Sequence, residues 1–293
     1  MRYGQIVRIA ACAAAVLALG LSRTADAAMP AVHPRLASVT SFALALGDEA
    51  QHVRRLDQLA EFDLVVLDGE HASRSLIDGL HAQGALVLGY LSVGTVERGR
   101  AWTRDAKPYR LDHWDDWDEW FAETSDPAFR TLLRETVAPA ILDRGFDGLF
   151  LDNVDMVAYH PRQRAGMEQL VRELSALTHA RGGVLFAQNG EEVMDSLLGA
   201  LDGWNREDVT GTYDFDTGRY VEQGRQDVRA AQRALRSIAG RGLLVTATDY
   251  FARGDEVEAQ RATRNACAAG ALSYVSDIGL NRVPSHPTRC QDL

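Results

Sequence analysis

Asp152 and Asp155 close the run Gly145-Phe-Asp-Gly-Leu-Phe-Leu-Asp-Asn-Val-Asp, whose apolar core is entered through glycines and left through acids. A short, near-continuous apolar segment reads as a parallel strand buried on both faces. Carboxylates at its C-terminal end stand where a barrel enzyme meets its substrate. Aspartate is also at home at the start of a helix, so this stretch alone fits a reaction centre and a helix cap equally well. Other apolar runs end the same way. They exit through Asp68 and Glu70, through Tyr90, Ser92 and Glu97, through Gln188, Asn189 and Glu191, through Glu207 and Asp208, through Asp249 and Tyr250, and through Asp277.

Residues of these types restrict the chemistry. No glycine-rich cradle or basic clamp accompanies them, which disfavours phosphate substrates. No Gly-x-Ser-x-Gly elbow occurs to carry a serine triad. His71, His113 and His160 are scattered, whereas a hydrolytic zinc wants clustered imidazoles. A divalent cation on Asp68, Asp152 and Asp155 is the metal reading that stays open. Glycoside hydrolysis fits best, because it needs two carboxyl groups in a polar cleft. A polysaccharide-binding protein on an inactive barrel, and a hydrolase of a different kind, are the competing functions.

The elements that must hold these residues alternate along the chain. Strands are expected at 41–47, 62–70, 85–92, 145–152, 182–188, 202–208, 242–250 and 271–277. Helical spacing of apolar residues predicts helices at 48–61, 73–83, 125–144, 161–181, 192–198, 218–240 and 255–269. Eight strands alternating with helices, with no linker between them, predict a single-domain α/β fold, the (β/α)8 TIM barrel. A doubly wound sheet would want a Gly-x-Gly-x-x-Gly turn after its first strand, which is missing. Strand periodicity puts Asp152 on the face of Phe150 and Gly148, with Asn153 pointing the other way. The segment 98–123 is read as a long loop, and it holds Trp102, Trp114, Trp117 and Trp120, four of the five tryptophans. Loops of that length in compact domains are usually functional. Its rings could stack on sugars or pack on one another.

At the N-terminus, Arg2 and Arg8 precede an apolar run from Ile9 to Leu21 and an Ala-rich site ending near Ala28. That is the pattern of a signal peptide, so residues 1–28 are expected to be removed and 29–293 to form the catalytic domain, secreted or periplasmic. Without Arg2, Arg8, Arg23 and Asp26 the 31 basic and 41 acidic residues become 28 and 40, a net charge of −12. Such acidity argues against nucleic acid and suits a neutral or cationic ligand. No membrane association is expected after cleavage. Cys267 and Cys290 remain, and in an oxidising compartment they could pair or stand as separate thiols.

Six stretches together resemble one family. They are Phe62-Asp-Leu-Val-Val-Leu-Asp, Gly89-Tyr-Leu-Ser-Val-Gly-x-x-Glu97, Gly145-Phe-Asp-Gly-x-x-Leu-Asp-Asn-Val-Asp155, Gln188-Asn-Gly-Glu, Asp202-Gly-x-x-x-Glu207-Asp208 and Asp249-Tyr250. In this order they are similar to glycoside hydrolase family 114, the endo-α-1,4-polygalactosaminidases. The resemblance implies an α-galactosidase-like barrel, a galactosamine-rich exopolysaccharide as substrate and no metal or organic cofactor. It also implies Asp152 as the nucleophile and Glu207 as the acid/base. Tyr90, Ser92, Glu97, Asn153, Asp155, Gln188, Asn189, Asp249 and Tyr250 become expected substrate contacts. Surplus acids such as Asp68, Asp155 and Asp249 would suit a cationic amino sugar. Trp117, Glu119 and Trp120 match the family's tryptophan segment only loosely.

Overall fold

The predicted strands pair in chain order as one parallel sheet: β1 (Phe42–Ala45), β2 (Leu64–Asp68), β3 (Leu86–Ser92), β4 (Gly148–Asp152), β5 (Val184–Gln188), β6 (Gly203–Glu207), β7 (Leu244–Tyr250) and β8 (Leu272–Ser276). Helices connect successive strands from β2 onward, so the architecture is the expected (β/α)8 barrel. This computed structural model describes residues 31–293. The signal-peptide expectation for residues 1–28 lies outside them.

Register fixes what faces the bore. Asp68 lies beside Tyr90, Tyr90 beside Phe150, Ser92 beside Asp152 and Phe150 beside Phe186. Gln188 lies beside Asn205 and Glu207 beside Thr248. Register partners share a face, so the inward layers alternate along the axis. The lower bore is apolar, with Phe42, Phe150, Phe186 and Tyr274 fully buried. Gly203 is required there, since a Cβ on it would sit 2.1 Å from the Phe186 ring. Above that plug lies a polar layer ending at the C-terminal rim.

Three elements differ from expectation. The helix predicted at 48–61 shrinks to a 3-10 turn (Val53–Arg55) and one α-turn (Leu56–Leu59), and Gln51 ahead of them bridges strand ends. Its Nε2 donates to the Leu46 carbonyl (2.9 Å) and its Oε1 accepts from Asp68 N–H (3.2 Å). The helix predicted at 218–240 begins only at Arg225, and a hairpin (Gly211–Asp214 with Arg219–Glu222) precedes it. Its turn is closed by Gly218 N–H on the Asp214 carbonyl (2.8 Å), with Gly218 at φ 67°. The segment 98–123 is structured too. Glu119–Ala122 pairs antiparallel with Arg110–Trp114 on one side and with Thr95–Val96 on the other.

Two helices start where cap chemistry predicts. Ser73 Oγ accepts from Leu76 N–H (3.2 Å), and Asp126 Oδ1 accepts from Ala128 N–H (2.7 Å) ahead of Pro127. The helix from Pro127 widens into a π turn at Leu133–Val137, just before Pro139, whose ring removes an N–H from the ladder.

Candidate active site

Strands β4, β5 and β6 each end on a functional side chain followed by a residue in the left-handed conformation. Asn153 (φ 59°) follows Asp152, Asn189 (φ 54°) follows Gln188, and Asp208 (φ 56°) follows Glu207. Asn and Asp tolerate this conformation better than other side chains, and it turns the chain off the rim just beyond the strand's last residue. The close approach of the Asn153 carbonyl to the β3 exit requires Gly94, where a Cβ would come within 1.9 Å.

Asp152 is half-buried and fully engaged. Its Oδ2 accepts from the Tyr90 hydroxyl (2.6 Å), and its Oδ1 accepts from Gln188 Nε2 (2.8 Å) and from Asn153 N–H (2.7 Å). Gln188 is itself oriented, because its Oε1 accepts from Asn205 Nδ2 (2.8 Å). Asn205 Oδ1 in turn accepts from the hydroxyls of Thr246 (2.7 Å) and Thr248 (3.2 Å). The amide chain fixes which Gln188 atom faces Asp152.

Glu207 ends β6, two strands along the same rim from Asp152. Its Oε1 accepts from the Tyr250 hydroxyl and its Oε2 from Asn189 Nδ2 (2.9 Å). Asn189 is pinned in return, with its Oδ1 accepting from Glu207 N–H (3.0 Å) and its carbonyl from Trp204 Nε1 (2.6 Å). Burial pushes Glu207 up to about 8, with the charges of Asp152 and Asp208 adding to the rise. Burial raises Asp152 as well, but the donors Tyr90, Asn153 and Gln188 pull it back. Both carboxyls are thus raised, Asp152 against three hydrogen bonds that favour its charged form and Glu207 with its neighbours' charges adding to burial.

Asp155 opens the helix Met156–Tyr159 but makes no side-chain capping bond, so a cap does not account for it. Burial, then the charge of Asp152, raises it to about 7.

Other expected contacts are bonded within the protein. Ser92 is buried, sharing a hydrogen bond with Thr95 Oγ1 (2.7 Å) and accepting from Asn153 Nδ2 (2.9 Å). Asn153 is therefore tied inward to β3. Asp68 and Glu97 share Arg100, which meets Asp68 Oδ2 at 2.6 Å and clasps both oxygens of Glu97 at 2.7 Å. Burial works to raise both acids. Arg100 overrides it at Asp68, which is held below its ordinary value, while Glu97 stays raised.

Asp249 is a correction. It is 0% exposed, and its Oδ1 accepts from the N–H groups of Thr210 (2.5 Å) and Gly211 (2.9 Å). Neighbours on a strand face opposite ways, so with Tyr250 aimed at Glu207, Asp249 points outward and holds the β6 exit loop. Asp68, Asp152 and Asp155 do not converge, and no group of three or more His, Cys, Asp or Glu side chains among the described residues is arranged to hold a metal.

Sequence reasoning missed Arg100 and Asn205, and met Glu119 only as part of the loosely matching tryptophan segment. Glu119 Oε2 accepts from Thr95 Oγ1 (2.6 Å), one step from Ser92. Burial, then the nearby Glu97, pushes Glu119 up to about 8. The Glu97-x-x-Arg100 spacing and the alternation Asn205-x-Glu207 were the available signals. Of the four tryptophans in 98–123, three are committed to packing. Trp102 is 4% exposed and donates to Glu70 Oε1 (2.7 Å). Trp114 stacks on Phe121 (5.2 Å), and Trp120 lies under the guanidinium groups of Arg98 and Arg110.

Residues 21–289 match the model of Glycoside-hydrolase family GH114. The fold is similar to that of the glycoside hydrolase domain of PelA from Pseudomonas aeruginosa (TM-score 0.74, 23% identity, covering 85% of this chain and all of that one). Ega3 of Aspergillus fumigatus, solved in complex with galactosamine, superposes at a TM-score of 0.64 and 19% identity, over 89% of this chain and 97% of its own. An α-galactosidase from Thermus thermophilus shares the barrel at 0.57 and 14% identity, over 85% and 59% of the two chains. Comparison with curated protein sequences finds no match. With the family model spanning nearly the whole chain, the protein belongs to glycoside hydrolase family 114.

Proposed function

We propose that this protein cleaves α-1,4-linked galactosamine-containing polysaccharide by a retaining double displacement. The observation that carries this reading is two carboxyls at the ends of β4 and β6 on one rim, each oriented by a tyrosine hydroxyl and a side-chain amide. Asp152 takes three hydrogen bonds that favour its charged form, while Glu207 is raised to about 8 and keeps its proton. An Asp152 oxygen attacks the anomeric carbon as the glycosidic oxygen leaves with the Glu207 proton. Glu207, now ionised, takes a proton from water as that water attacks the same carbon and frees Asp152. Tyr90 and Gln188 hold Asp152 in line; Tyr250 and Asn189 do the same for Glu207.

The substrate assignment rests on family membership, on the galactosamine bound to Ega3, and on an acidic rim suited to a cationic sugar. Export to the periplasm or beyond is part of the reading. It draws on the leader-like residues 1–28 and on the Cys267–Cys290 bond, which suits an oxidising compartment. No helix among the described residues is long and apolar enough to cross a membrane.

Incubation with deacetylated α-1,4-galactosamine polymer should release shorter oligosaccharides. Asp152→Asn and Glu207→Gln should each lower kcat about 10³-fold or more, with binding retained. Near-normal turnover in either variant would remove that residue from its role. Proton NMR of the first product should show the α anomer; a β product would make Asp152 a base acting through water.

A further inference from the structure

The exposed aromatics Trp117 (43%) and Phe215 (37%) are carried on two different excursions from the rim. Trp117 is at the tip of the turn between strands Arg110–Trp114 and Glu119–Ala122, which follow β3. Phe215 is at the tip of the hairpin Gly211–Asp214 and Arg219–Glu222, which follows β6. Their rings nevertheless meet edge to face at 5.1 Å, with Tyr213 and Tyr220 continuing the stack at 5.1 Å each.

The two footings adjoin the two carboxyls of the site. On one side Glu119 bonds Thr95, and Thr95 bonds Ser92 and Asn153, the residue after Asp152. On the other, Gly211 begins four residues after Glu207 and is anchored by Asp249. Strands β3 to β6 and the two excursions therefore close a ring that includes both acids.

Each tip repeats one pattern, Asp116-Trp117-Asp118 and Asp214-Phe215-Asp216. Asp118 pairs with Arg98 (2.7 Å) and His113 (3.0 Å), and Asp214 accepts from Thr217 N–H (3.1 Å). Asp116 and Asp216 are exposed and have no cationic partner among the described residues. Among the described residues, Asp116 Oδ2 accepts only from Trp114 Nε1 (3.4 Å). An aromatic face beside a carboxylate that has no cationic partner is complementary to a sugar ring that bears an ammonium group, since the ring's C–H face packs on the aromatic and the cation meets the acid.

We propose that Trp117 and Phe215, with Asp116 and Asp216, form an aromatic clasp that binds free-amine sugar units of the glycan away from the bond being cut. This rests on the glycosidase reading above and adds a second binding locus with its own selectivity, for deacetylated over acetylated chains. The clasp acts on long substrates and leaves the chemical step alone.

The test uses Glu207→Gln as a non-cleaving parent. Its binding to deacetylated and to fully N-acetylated α-1,4-galactosamine polymer is measured by co-sedimentation. Adding Trp117→Ala or Phe215→Ala should weaken binding to the deacetylated polymer about tenfold. Asp116→Asn with Asp216→Asn should weaken binding to that polymer and leave the acetylated one unchanged. In the otherwise wild-type enzyme the same tip variants should raise KM on polymer while kcat, and kcat/KM on short oligosaccharides, hold. Unchanged melting temperatures establish that the tips fold normally. Tip variants that bind like the parent, or a parent with no affinity for either polymer, overturn the clasp. A wild-type enzyme that cleaves the polymer while the tip variants bind normally leaves the glycosidase reading standing without the clasp. A wild-type enzyme that leaves the polymer intact overturns the glycosidase reading, and binding by the tip variants still decides the clasp.

Discussion

At the scale of single residues, the site separates two chemically similar groups by what surrounds them. Asp152 and Glu207 each accept a tyrosine hydroxyl and an amide N–H, yet Asp152 also takes a backbone N–H, and a charge on Asp152 is one cause of the rise at Glu207. A carboxyl raised to about 8 when folded and titrating near 4.5 when unfolded holds its proton longer in the folded state. Its contribution favours folding fully below about pH 4.5 and is lost as pH rises through 8. Glu207→Gln abolishes that loss. The melting temperature of Glu207→Gln minus that of wild type should therefore grow between pH 4.5 and 8 and level off above. A difference that stays flat across this window would place the proton elsewhere. The activity of the wild type should decline over the same upper range as Glu207 ceases to be an acid.

At the scale of elements, legibility followed burial. Apolar runs exiting through acids were readable because each barrel strand is covered on both faces, so the change of character falls at the rim. Even polar β6 could be recognised, since Asn205 and Glu207 belong to the polar upper layer rather than to solvent. Side-chain direction is legible as well: neighbours Asp249 and Tyr250 cannot both face the bore, and the structure chooses Tyr250. Tertiary pairings escaped because their partners come from separate loops. Arg100 exits β3 yet closes its ion pairs with Asp68 of β2 as well as with Glu97. All three side chains are nearly buried, so Arg100→Ala would strand two carboxylates. Removing one partner of a buried pair costs about 3–5 kcal/mol, and urea titration should find a loss of that order. Arg100→Lys should recover only part of it, because an ammonium cannot clasp Glu97 with two parallel bonds. A neutral outcome for Arg100→Ala would mean that water reaches both acids.

For the whole molecule, the sheet runs from β1 to β8, and in the described residues no ladder joins those two edges. An unpaired edge needs cover, and the C-terminal tail supplies it from rim to base. At the rim, Gly47 N–H donates to the Leu280 carbonyl (3.2 Å) and Glu49 N–H to Asn281 Oδ1 (3.2 Å). Lower down, Gln58 Nε2 donates to the Val283 carbonyl (2.9 Å), and Arg289 donates to Thr40 Oγ1 (3.2 Å). Inside the seam the rings of Phe42 and Tyr274 meet at 6.1 Å. The tail is tethered by the bond between Cys267, near the end of the helix Glu256–Ala268, and Cys290. Closing a loop with a sequence separation of 23 contributes about 3 kcal/mol through the unfolded chain. Cys267→Ser with Cys290→Ser should therefore lower the melting temperature by roughly 5–10 °C. Activity at 25 °C should persist, because Asp152 and Glu207 lie on strands far from the seam in the sheet order. Hydrogen exchange should locate the loss, with protection falling first in residues 277–293 and then in β1 and β8. If β4 to β6 lost protection together with β1, the barrel would open as one unit and the tail would be an ordinary part of its core. Selective loss at β1 and β8 would identify the tail and its disulfide as the fastening of an otherwise open sheet.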